Sequence, residues 1–68
     1  MEIEVIRVTE YNAEVRRKNP DGYYYHTFRT RTGEDRLTGW VASYKKCHFF
    51  GKTKKDAYNR CAKDIKKW

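Results

Sequence analysis

The sequence predicts an α+β fold: a three- or four-stranded antiparallel β-sheet with one C-terminal α-helix packed on one face. Three observations carry that expectation. Runs rich in β-branched and aromatic residues recur through the first fifty positions. A turn signal, Asn19-Pro20-Asp21-Gly22, separates two of them. After Gly51 the apolar spacing changes to that of a helix, with a threonine cap in front of it.

Taken in order, residues 2–9 read as a strand, with Ile3 and Val5 on one parity and Ile6 and Val8 on the other. Residues 12–18 are a second strand candidate, in which Ala13 and Val15 alternate. Pro20 presets a turn angle and Gly22 takes the positive φ that closes it, so 19–22 is expected to be a hairpin tip. The run Tyr23–Arg31 follows as a strand, with Tyr24, His26, Phe28 and Thr30 on one face and Tyr23, Tyr25, Thr27, Arg29 and Arg31 on the other. Residues 32–36 form a polar turn. Residues 37–45 return as a strand, with Trp40, Ala42 and Tyr44 opposite Val41 and Ser43. Residues 47–50 extend it past a bulge or form an edge piece. Thr53 caps the helix, with Asp56 three positions on resembling a capping box. Ala57, Tyr58, Cys61, Ala62, Ile65 and Trp68 make its apolar face, and Lys55, Asn59, Arg60, Lys63, Lys66 and Lys67 point away. The 68 residues form one small domain, with the sheet over 2–50 and the helix over 54–67.

Charge placement is the functional clue. The net charge is +7. Residues 1–44 hold seven basic and seven acidic side chains, which cancel. Residues 45–68 hold nine basic side chains against Asp56 and Asp64, which leaves the whole +7 in the last third. A one-sided positive field attracts polyanions, nucleic acid first among them. The alternative is a lysine-rich helix face that is merely solvated. No apolar run approaches membrane-spanning length, and the first residues lack the basic start and apolar stretch of a signal peptide. Cys47 and Cys61 form no close pair. A cytoplasmic protein with reduced thiols and no membrane contact is therefore expected.

Within the basic third, Gly51-Lys52-Thr53-Lys54-Lys55-Asp56-Ala57 opens the helix. A helix N-terminus presents unpaired N–H groups and partial positive charge, so lysines there oppose the dipole unless an anion binds. Lys52, Lys54 and Lys55 are the expected phosphate contacts. Arg60, Lys63, Lys66 and Lys67 add field along the helix, and Arg29 and Arg31 add sheet contacts. The pattern Gly-x-Thr-Lys-Lys-x-Ala-x-x-x-Cys-Ala over residues 51–62 resembles the last-helix signature of double-stranded-RNA-binding domains. That resemblance implies a lysine pair, here Lys54 and Lys55, spanning the phosphates that flank the major groove. The family also has an N-terminal helix, where residues 1–12 here read as a strand, and a third basic helix position, which is Tyr58 here. Phe50-Gly51-Lys52-Thr53-Lys54-Lys55-Asp56-Ala57 is also similar to the N-terminal arm-binding domains of tyrosine recombinases, a three-stranded sheet followed by a helix. That likeness implies a sheet face in the DNA major groove and nominates Arg29, Arg31, Trp40 or Tyr44. Both families bind nucleic acid.

Other constellations point elsewhere with less support. Tyr23, Tyr24, Tyr25 and Phe28 interleaved with Arg29 and Arg31 can stack bases, although aromatics are common in strands for packing alone. His26, Cys47, His48 and Cys61 lack the close ligand pair of a zinc site, so no metal and no cofactor is expected. His26 and His48 form no evident acid–base pair, and the Gly51-Lys52-Thr53 triplet lacks the glycine a phosphate loop needs at position 46, so no enzyme is expected. The expectation is a small basic nucleic-acid-binding protein, with RNA ahead of DNA. The alternative is a protein-interaction module, such as a small phage-like inhibitor or adaptor, whose partner is a host enzyme or ribonucleoprotein with an acidic or RNA-loaded surface.

Overall fold

The structure, a computed structural model, describes residues 2–22 and 26–66. Strand β1 (Glu4–Arg7) runs directly into helix α1 (Val8–Lys18), and β2 (Trp40–Tyr44), β3 (Cys47–Gly51) and helix α2 (Lys54–Ile65) follow. The strands make one antiparallel sheet in the order β1-β2-β3. The register sets Val5 opposite Ala42, Arg7 opposite Trp40, and Val41 opposite Phe50. The α+β class and the antiparallel sheet are as expected, with three strands. The single C-terminal helix is corrected to two helices.

The second helix follows from the sheet being apolar on both sides. On one side Val5, Trp40, Ala42, Tyr44 and Phe49 pack against Ala57, Cys61 and Ile65 of α2. On the other, Ile6, Val41 and Phe50 pack with Val8, Tyr11, Val15 and Phe28. Two apolar faces need two covers. The sheet therefore lies between α2 and a second layer made of α1 and the segment after it.

Residues 12–18, expected as a strand, are the body of α1. Val8, Tyr11, Asn12 and Val15 recur at helical spacing and face the sheet. Glu10 lies in the first turn and Arg16, Arg17 and Lys18 in the last, which suits the helix dipole. Glu14 pairs with Lys18 one turn on, at 3.7 Å. The helix ends where Asn19 bonds the Val15 carbonyl through both its backbone N–H (3.0 Å) and its side-chain amide (2.9 Å). Pro20 then blocks continuation. The 19–22 turn forms, with Gly22 at φ +91° donating to the Asn19 carbonyl, but it leaves a helix and is not a hairpin tip.

Over its described part, residues 26–31, the strand expected at 23–31 is also corrected. Tyr23, Tyr24 and Tyr25 lie outside the described residues, as do Lys67 and Trp68. Beyond them, Arg29 makes an isolated bridge to Asp35 and Gly33 closes a turn onto the Thr30 carbonyl. The Phe28 N–H bonds a side chain in place of a neighbouring strand. The Asn12 carboxamide accepts from the Phe28 N–H and donates to the Phe28 carbonyl, both at 3.0 Å. Asn12 is 2% exposed. Its clasp places the Phe28 ring 5.5 Å from Tyr11 and 6.0 Å from Phe50. Tertiary packing overrides strand propensity here.

After Tyr44 the chain turns back through Lys45 and Lys46, so 47–51 is a separate hairpin strand rather than a continuation. It ends at a glycine for a steric reason. A Cβ on Gly51 would lie 2.2 Å from the Ala57 backbone nitrogen, so only glycine lets α2 sit this close to β3. Among the described residues no helix is long and apolar enough to cross a membrane.

Two substitutions test this architecture. Asn12→Ala strands the Phe28 N–H, whereas the Phe28 carbonyl keeps the Arg36 N–H as a donor. The expected loss in a urea titration is about 1–3 kcal/mol. Gly51→Ala forces the helix off the sheet, and a loss of about 2 kcal/mol or more is expected. An unchanged urea midpoint in either variant contradicts the corresponding contact.

Candidate nucleic-acid interface

Helix α2 begins as its sequence predicts. Thr53 is the N-cap, and its Oγ1 accepts from the Asp56 N–H at 3.1 Å. The Ala57 N–H closes the first turn onto the Thr53 carbonyl. Ala57, Cys61 and Ile65 are buried against the sheet. Tyr58, expected on that apolar face, is 44% exposed.

Lys52, Lys54, Lys55, Arg60 and Lys63 are all exposed. The ion pairs among the described residues join Arg16 and Arg29 to Asp35 and Lys18 to Glu14, and none involves α2. Asp56 shares the first turn, yet Lys52, Lys54 and Lys55 make no ion pair among the described residues. Successive helix residues turn by about 100°, which separates the directions of Lys54 and Lys55. Lys54 leans back over the Trp40 ring, with Nζ 5.6 Å from its centroid. Lys55 faces away from the sheet, about 80° round the helix from Lys63, and Arg60 lies beyond Lys63.

Trp40 sits at the same end of the sheet. Arg7 lies opposite it in the β1–β2 register, and the Arg7 guanidinium is 5.4 Å from the ring centroid. Arg7 was not legible as a site residue, because only strand register brings it to Trp40 and to the helix start.

Arg29 and Arg31 are not brought to this end. Arg29 is tied by its bridge to Asp35, which also pairs with Arg16 of α1, and the Phe28 that precedes it packs in the α1 layer. Arg31 belongs to the turn beyond. Neither stands on a sheet strand. Trp40 and Tyr44 both face the α2 side.

The histidines form a second cluster, on the α1 side of the sheet. The His48 ring lies 4.9 Å from Tyr11 and 5.3 Å from His26, and Nδ1 shares a 2.8 Å hydrogen bond with Ser43 Oγ. Burial, helped by His26, pushes the His48 pKa below the usual histidine value. Burial, with Glu14 adding to it, pushes the Tyr11 hydroxyl up to about 12. Cys47 is half-buried and Cys61 is buried, and both are free thiols. Burial raises the Cys61 pKa, with smaller contributions from Cys47 and Asp64. Among the described residues no three His, Cys, Asp or Glu side chains converge as metal ligands would.

No family model, curated protein or solved structure matches this chain.

The lowered His48 pKa has a thermodynamic consequence. Below the unfolded value, near 6.5, the unfolded chain binds a proton that the folded chain resists. The His48 contribution is therefore complete above about pH 6.5 and shrinks as pH falls, in a window above the carboxylate range. Urea midpoints should drop between about pH 7.5 and 5.5, and His48→Phe should flatten that drop. Identical pH slopes in the two proteins would contradict the assignment.

Proposed function

We propose that this protein binds nucleic acid through the N-terminal end of α2, with RNA preferred to DNA. The observation that carries the reading is the set of exposed lysines Lys52, Lys54 and Lys55 at a capped helix start, which make no ion pair among the described residues. Cations there oppose the helix dipole, and a phosphate both relieves that repulsion and accepts the end-of-helix N–H groups. The chain-wide asymmetry supports it, since the +7 charge lies entirely in residues 45–68. Lys55 and Lys63 extend the surface along the outer helix face, with Arg60 beside them.

RNA stands ahead of DNA on the resemblance of residues 51–62 to the last helix of double-stranded-RNA-binding domains. The role is binding rather than catalysis. A protein partner with an acidic or RNA-loaded surface is the competing assignment.

The test is a mobility shift on RNA at two salt concentrations, with the parent protein and a Lys54→Glu/Lys55→Glu double variant. Removing two phosphate contacts is expected to weaken binding at least about tenfold at low salt and to flatten the salt dependence. Equal binding by both proteins overturns the helix-end site. A partner retained after nuclease digestion, together with no binding of free RNA or DNA, moves the assignment to protein recognition.

A further inference from the structure

Beside the lysines at the start of α2, the surface falls into a hollow of about 280 Å³ lined by Arg7, Thr9, Leu37, Thr38, Gly39 and Trp40. Its chemistry differs from that of a solvated basic face. Leu37 is 79% exposed, an apolar side chain with no internal cover. The indole of Trp40 is half-buried at the hollow's wall and has two cations near it, Arg7 at 5.4 Å and Lys54 at 5.6 Å from the ring centroid. Gly39 is at φ +110°, and a Cβ there would lie 2.5 Å from the Phe50 ring. The strand entry that presents Trp40 is thus tightly constrained.

An occupant must match three properties at once. It needs a flat apolar or π face for Trp40 and Leu37, a negative charge for Arg7 and Lys54, and continuity with an anion at the adjacent helix start. An unpaired nucleotide has all three, because its base stacks on indole and on guanidinium planes while its phosphate takes the cations. A base inside a duplex does not, since its faces are already stacked on neighbours. The hollow lies near the lower end of small-ligand pockets, roughly 300 Å³, which suits one nucleotide.

We propose that the hollow of Arg7, Leu37 and Trp40, with Lys54 beside it, receives one unpaired nucleotide of a strand whose phosphates run on to the start of α2. The site rests on the nucleic-acid reading of that helix and adds selectivity for single-stranded or looped segments. The base lies on Trp40 against Leu37, and Arg7 swings from the ring to the phosphate.

Trp40 and Trp68 are the two tryptophans of the chain, so full-length protein carrying Trp68→Phe makes Trp40 the sole emitter. Single-stranded RNA of about ten nucleotides and a duplex of the same length are the probes, a length within one small domain's site size. The single strand is expected to quench Trp40 emission. Trp40→Leu is expected to weaken single-strand binding at least about tenfold, the scale of one lost base stack, while duplex binding shifts far less. Arg7→Gln, at an exposed position outside the core, is the second variant and should show the same bias toward single-strand loss. Emission unmoved at saturation overturns the hollow as the base site, as do both variants losing single-strand and duplex affinity equally. If binding still depends on Lys54 and Lys55 in that case, the helix-end reading stands alone. Absence of binding to either probe by the parent protein overturns both.

Discussion

Val41 and Ala42 are neighbours in sequence and both are fully buried. Adjacent strand residues point to opposite faces, so β2 has to be covered on both sides. Among the described residues there is no second sheet to serve as a cover. Helix α2 supplies one cover, brought close by the missing side chain of Gly51. The other is assembled from α1 and the segment around Phe28, and the Asn12 carboxamide joins its two parts. A polar group at the centre of an apolar layer is tolerable because both of its hydrogen-bonding ends are satisfied by backbone.

The two helices differ in the cations they carry at their starts. In α1 the acid is at the start and the bases are at the end, and its cations find partners in Glu14 and Asp35. In α2 Asp56 lies in the first turn too, but Lys54 and Lys55 crowd the same turn, where the dipole disfavours them, and neither makes an ion pair among the described residues. A helix of similar length in the same chain shows the self-neutralised alternative. The contrast makes α2 an outward-directed electrostatic surface, whereas α1 is a structural one.

The register of the sheet then gives that surface its neighbour. Pairing Arg7 with Trp40 sets a guanidinium beside the indole, and the Gly51 approach lowers Lys54 onto the same ring. An aromatic with two cations beside it thus adjoins the lysine-rich helix start. The His48 cluster lies on the α1 side of the sheet, packed between Tyr11 and His26, and its titration bears on stability rather than on the basic surface.

What could be read from the residues alone was governed by local rules. The Thr53 cap, the helical face of Ala57, Cys61 and Ile65, the parity of Trp40 and Ala42 against Val41, and the basic last third all depend on near neighbours in the chain. Tertiary structure decided the rest. Residues 12–18 become helix because Asn12, a polar residue, occupies a core position that a hydrophobic pattern cannot reveal. The Phe28 segment reaches only an isolated bridge, because the Phe28 N–H is claimed by that side chain. Arg7 reaches Trp40 through strand register, and Arg29 is drawn away to Asp35. Each of these outcomes turns on a partner distant in sequence, and such a pairing exists only once the faces of the sheet have been covered.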